Sequence, residues 1–247
     1  MGLLFRSARV FFGSLPFLAA VTLVVFLPGK LALQAACYWL DIPTDGVLSY
    51  LLMDSSDLFL SALVIPAAIF GLVAKFRTGR TAPLAESLRW GWRQWGKTLW
   101  NKFKVETTIT LWALLLLVPG LVAMVRLIFT DAIVAIEADL TDQAGATDVL
   151  QSSRVLSRGH GWRIFFVLLP MMILDLAGSF VVLARLQGFT HSRIALAVVD
   201  SAFSVGGQWT TVIVLLLYLG LKPKPPEPAA FPQRAHAPGV RGIREPR

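Results

Sequence analysis

Apolar residues in this chain do not recur singly at every second or every third and fourth position. They run together in long blocks, at residues 10–39, 58–74, 107–136, 162–184 and 194–221. Crossing the hydrocarbon core of a bilayer takes roughly 20 apolar residues in a helix, and these blocks lie near or above that length. In lipid, only helices and closed barrels satisfy every backbone hydrogen bond. The blocks lack the two-residue alternation of barrel strands, so the pattern predicts an all-α, polytopic transmembrane helical bundle of about six crossings. Residues 1–221 form this integral domain. Residues 222–247, rich in Pro and basic residues with few apolar ones, predict a disordered cytoplasmic tail.

One segment has a different periodicity. Between residues 84 and 104, Leu84, Leu88, Trp92, Trp95, Leu99 and Phe103 follow one another at intervals of four, four, three, four and four. On a 3.6-residue helix they share one face, opposite Glu86, Arg89, Arg93, Lys97 and Lys104. The expectation is a surface amphipathic helix. Trp92 and Trp95 would lie at headgroup depth, with Arg89, Arg93 and Lys97 against anionic headgroups.

The block at 107–136 is about 30 residues long and carries Pro119-Gly120 near its centre. Proline removes a backbone donor and glycine adds freedom, so the helix is expected to be kinked or broken there. The block is either one tilted span or two shorter ones. Charge helps to choose. Asp41, Asp45, Asp54 and Asp57 lie between the first two blocks, whereas Lys75, Arg77, Arg80, Arg89 and Arg93 follow the second. The positive-inside rule puts the amino terminus and the basic segment in the cytoplasm. The basic tail suggests the same side, which favours an even number of crossings with both termini cytoplasmic in a plasma (inner) membrane.

Composition agrees. Of 247 residues, 55% are hydrophobic and 15% charged, against about 25% charged in ordinary soluble domains. A formal net charge of +8 would raise nucleic-acid binding for a soluble chain. Here the Lys and Arg residues sit in loops and face anionic lipid, so the expected partners are the bilayer and its headgroups, with a membrane-protein partner or a second copy also compatible and no nucleic acid. Cys37 is the only cysteine, which excludes an internal disulfide and a cysteine-based metal cluster. Leu33–Cys37 faintly matches a lipoprotein cleavage box, but Gln34 stands where an aliphatic residue belongs, so the first block is read as an uncleaved span.

Candidate chemistry lies inside the spans. Asp175 and Asp200 fall within apolar blocks, where a charge costs about 2.5–3.5 kcal/mol and therefore usually faces protein or water. Ser204, Gly207 and Thr211 continue from Asp200 at helical spacing, a small and polar stripe suited to close helix contact. With a hairpin near residues 187–191, the two aspartates come to similar depth, and Arg126 is the expected counter-charge of an intramembrane seam of Arg126, Asp175, Asp200, Ser204 and Thr211. No GxxxxGK[ST], GxSxG or paired-histidine zinc motif occurs. The sequence thus nominates no catalytic residue, cofactor or metal.

From Leu117 onward, LVPGLVAMVRLIFTDAIVAIE and then SSRVLSRGHGWR resemble a pattern of the YciC-like bacterial inner-membrane proteins and of the related membrane domain of some glycerophosphoryl diester phosphodiesterases. Pro119, Gly120, Glu137, Ser153, Leu156, Gly159, Trp162 and Arg163 occupy the motif positions. The match covers residues 107–175. The resemblance implies a six-span fold and no activity, because the phosphodiesterase catalytic module is a separate soluble domain. On sequence the first expectation is therefore a non-catalytic accessory or scaffold of the envelope. A small-solute or lipid carrier using the aspartate seam comes second and a membrane-embedded enzyme third.

Overall fold

The computed structural model describes residues 2–42, 47–143, 149–189 and 193–222; within these, the side chains of 138–143, 175, 176, 178–189 and a few isolated helix positions lie outside the description. The described residues form α1 (Gly2–Phe12), α2 (Leu15–Trp39), α3 (Val47–Thr78), α4 (Leu84–Leu115), α5 (Leu117–Leu127), α6 (Thr130–Gln143), α7 (Val149–Ser157), α8 (Gly161–Phe189) and α9 (Arg193–Leu221). Among them no strand occurs. Among the described residues four helical stretches are long and apolar enough to cross a membrane: Leu15–Trp39, Leu51–Thr78, Val118–Glu137 and Ala197–Leu221. Gly161–Leu174 is a shorter apolar helix. The predicted tail lies outside the described residues beyond Lys222.

The distribution of polarity agrees with lipid as the solvent. Leu114 is 83% exposed, and Leu115, Leu116, Val118, Trp39 and Trp162 are also exposed, while Lys30, Gln34, Gln94, Thr98, Ser201 and Gln208 are buried. A chain folded in water rarely exposes so many large apolar side chains while burying a lysine and several polar ones. The last turns of α9 are buried on all sides from Val212 to Tyr218, and pack with Leu18, Leu72, Phe129, Ile133 and Ile164 in the main core. A helix apolar all round belongs at such a centre.

The first block divides. Residues 10–39 are not one span, because the chain turns at Gly13–Ser14 between α1 and α2. Proline sits in the first turn of α2, where its missing N–H costs nothing. Lys75, near the end of α3, donates to the Gly13 carbonyl at 2.6 Å and to Ser14 Oγ at 2.7 Å, which fixes this corner. α1 then lies on α9, with Phe11 stacked on Trp209 at 5.7 Å and Trp209 Nε1 donating to Ser7 Oγ at 3.1 Å.

α3 begins well before residue 58, so Asp54 and Asp57 belong to the helix and not to an acidic loop. Ser56 and Ser61 turn their hydroxyls back onto the helix's own carbonyls, which gives both polar groups a partner within an otherwise apolar helix.

The segment expected as a separate surface helix is the opening of a 32-residue helix, α4. It runs antiparallel along α3: Trp90 stacks on Phe70 at 5.3 Å, Gly91 meets Leu63 and Ala67, and Trp95 Nε1 donates to the Phe59 carbonyl at 3.0 Å. The packed face is Ser87, Gly91, Gln94 and Thr98, a stripe of small and polar residues that admits close approach. The Leu/Trp periodicity marked the neighbouring face, from which Leu84, Leu88 and Trp95 also reach α3 while Trp92 and Phe103 are exposed.

The block at 107–136 reverses direction. Leu116 adopts extended backbone (φ −161°, ψ 135°) between α4 and α5, and α5 folds back on α4 so closely that a Cβ on Gly120 would lie 2.8 Å from Ala113 Cβ. The break falls at Leu116, not at Pro119-Gly120. Pro119 stands in the first turn of α5, where it starts the returning helix, and Gly120 permits the close contact.

Candidate functional site: a polar cleft between α3, α4 and α9

The charge inside this fold is organised around Lys30. It lies midway along α2, 1% exposed, and its Nζ pairs with Asp57 Oδ1 of α3 and with Asp200 Oδ2 of α9, the latter at 2.7 Å. The two aspartates are 44% and 32% exposed, so the ammonium is sealed behind carboxylates that look outward. One lysine thus ties three helices together. Isolated in an apolar helix, any of these groups would be costly; together they leave one net negative charge.

The carboxylates look into a cleft of about 970 Å3. α3 contributes Asp54, Asp57 and Ser61, α4 contributes Lys102, Glu106, Thr107 and Thr110, and α9 contributes Asp200, Ser204, Gly207, Gln208 and Thr211. The α9 stripe read from the sequence is therefore one wall of the cleft. Lys102 Nζ donates to Ser61 Oγ at 3.0 Å and stands 3.7 Å from Asp131 Oδ2. Ser204 Oγ donates to the Asp200 carbonyl at 3.0 Å, so its oxygen can still accept. Gln208 is buried, and its Oε1 accepts no hydrogen bond from the described residues. Buried carbonyl oxygens normally have a donor, and here a cleft occupant or water can supply it.

Arg126 does not join this cluster. It ends α5, and its carbonyl accepts from Ser153 Oγ at 2.9 Å and Ser157 Oγ at 3.4 Å. Ser153 Oγ also accepts the Phe129 N–H at 3.2 Å. This one buried hydroxyl bridges the α5–α6 junction, where helical bonding lapses. The counter-charge of Asp200 is Lys30, which the sequence reading passed over because the apolar block continues around it. Asp175 falls within α8, and its side chain lies outside the described residues.

The remaining predicted positions serve other contacts. Glu137 Oε1 accepts from Tyr218 Oη at 2.5 Å and from Lys222 Nζ at 2.6 Å, which binds α6 to the end of α9. Gly159 takes φ +81° in the turn between α7 and α8, a conformation that favours glycine. Trp162 stacks on Phe166 at 5.9 Å, and Arg163 is exposed. Trp92 stacks on Trp95 at 5.8 Å, Arg93 lies 5.9 Å from the centre of the Trp90 ring, and Arg89 and Lys97 are exposed.

Among the described residues no group of three or more His, Cys, Asp or Glu side chains could hold a metal ion. The chain matches no protein-family model, no curated protein and no solved structure. The protein is helical, and among the described residues four apolar helices reach membrane-spanning length.

Proposed function

We propose that this protein is a multi-pass carrier of the plasma membrane that binds a small cation in the cleft between α3, α4 and α9. The single observation behind this reading is the lining of that cleft. Four carboxylates (Asp54, Asp57, Glu106 and Asp200) face it against one lysine, Lys102. Its volume of about 970 Å3 is that of a ligand site, and ionisable residues within membrane helices typically mark solute or ion pathways. A cation entering the cleft competes with Lys30 for Asp57 and Asp200. Occupancy would therefore loosen the tie between α2 and its neighbours, which couples binding to helix packing.

The accessory or scaffold role suggested first by the sequence calls for a closed apolar bundle, and an open acidic cleft favours the carrier over it. The proposal includes six crossings with both termini cytoplasmic: α2, α3, α4, the α5–α6 pair, α8 and α9. The reversal at Leu116 and the antiparallel course of α4 along α3 support that count. Membership of the YciC-like group is also part of the proposal. It is supported by the bridging role of Ser153 and the returning helix begun at Pro119-Gly120.

The test is uptake into proteoliposomes holding the full chain, with guanidinium and tetramethylammonium as probes and acetate as the anionic control. Saturable uptake of a cation is expected, falling about tenfold or more in Asp57→Asn and Asp200→Asn variants that still reconstitute, since a tenfold loss corresponds to only about 1.4 kcal/mol. Uptake of acetate alone, or of no probe, would overturn the reading.

A further inference from the structure

A second cavity, of about 840 Å3, lies between α5, α7 and the start of α8. Its two halves differ in chemistry. One wall is apolar: Val118, Leu121, Val122 and Val125 recur at helical spacing along one face of α5, opposite Trp162 and Phe165. The other half carries Arg126, Arg154 and Arg158. Among the described residues no carboxylate lines the cavity, and none of the three guanidinium groups has an ion pair.

The arginines are brought together by a fixed contact. Ser153 and Ser157 hold α7 against the Arg126 carbonyl, so arginines from α5, α7 and the turn that follows surround one opening. From Arg126 the apolar face of α5 runs back eight residues to Val118, or roughly 12 Å at the helical rise. That face belongs to a stretch of membrane-spanning length, and Trp162, 76% exposed, stands at the head of the next apolar helix as an interfacial anchor would.

Guanidinium groups recognise phosphate with paired, charge-assisted hydrogen bonds. A free phosphate would use only the arginine half and leave the apolar wall bare. We infer that this cavity binds an anionic phospholipid, its phosphate on Arg126, Arg154 and Arg158 and an acyl chain along the Val118–Val125 face of α5. This site is separate from the acidic cleft and would stand if the carrier reading failed.

The experiment uses the full chain in dodecyl maltoside, titrated with phosphatidylglycerol, with phosphatidylcholine of the same acyl chains, and with glycerol 3-phosphate. Binding is read by native mass spectrometry and by thermal shift. Phosphatidylglycerol should bind about tenfold tighter than phosphatidylcholine, and glycerol 3-phosphate should not displace it at millimolar concentration. The triple variant Arg126→Gln, Arg154→Gln, Arg158→Gln should lose that preference. A charge-matched control, Arg6→Gln, Arg77→Gln, Arg80→Gln, should keep it. Leu121→Trp, which fills the apolar wall and leaves every charge in place, provides a second reading should the triple variant misfold, and it should weaken the lipid about tenfold. Three results would overturn the inference: equal loss in the triple variant and its control, equal affinity for the two lipids, or competition by glycerol 3-phosphate as effective as that of the lipid itself.

Discussion

Lys30 and its two aspartates should respond unequally to removal, because they are unequally buried. Asp57 and Asp200 are 44% and 32% exposed, whereas Lys30 is 1% exposed. Replacing both aspartates by asparagine strands an ammonium with no access to solvent. Breaking a buried ion pair in this way costs about 3–5 kcal/mol. Replacing Lys30 by methionine strands two carboxylates that already reach the cleft, and partly solvated charges of this kind are worth only about 1 kcal/mol. The order expected is therefore wild type, then Lys30→Met, then Asp57→Asn with Asp200→Asn. The triple variant, which leaves no charge, should recover most of the loss of the double one. Unfolding in mixed dodecyl maltoside and sodium dodecyl sulfate micelles, followed by far-ultraviolet circular dichroism, measures all four proteins on one scale. A Lys30→Met variant as unstable as the double asparagine variant, or a triple variant with no recovery, would refute the claim that burial of the lysine sets the energetics.

Two further predictions concern the frame that holds the cleft. Ser153→Ala removes the one hydroxyl that serves both the Arg126 carbonyl and the Phe129 N–H; the buried Phe129 N–H loses its partner while the carbonyl keeps Ser157, which should cost about 1–3 kcal/mol, measurable in the same assay, and a cost under about 0.5 kcal/mol would show that the junction does not need the bridge. Gly91→Ala puts a methyl group 2.5 Å from the Leu63 carbonyl oxygen, whereas Gly96→Ala meets nothing within 4 Å. The first should destabilise by about 1–3 kcal/mol through overpacking and the second should stabilise slightly through helix propensity, so equal effects would contradict the close α3–α4 packing.

Membrane character was legible from composition and block length, because transfer of apolar surface to lipid depends on local sequence and needs no knowledge of neighbours. The apolar blocks 162–184 and 194–221 fall within the helices α8 and α9. A kink or break was expected at Pro119-Gly120, and the reversal falls three residues upstream. Pro119 announced a discontinuity, and since proline is tolerated in the first turn of a helix, the turn itself moved upstream to Leu116. The basic segment at 84–104 was read by its apolar face, while the closest approach to α3 uses the small polar face of Ser87, Gly91, Gln94 and Thr98 beside it.

The sequence by itself determined which segments are helical and apolar, and that Asp200, Ser204, Gly207 and Thr211 share a helix face. Only the tertiary structure decided what that face meets. Lys30 and Asp200 are 170 positions apart, and nothing local distinguishes Lys30 from Arg126 as a partner. An ion pair depends on distance and on shared exclusion of solvent, and both are properties of helices brought side by side.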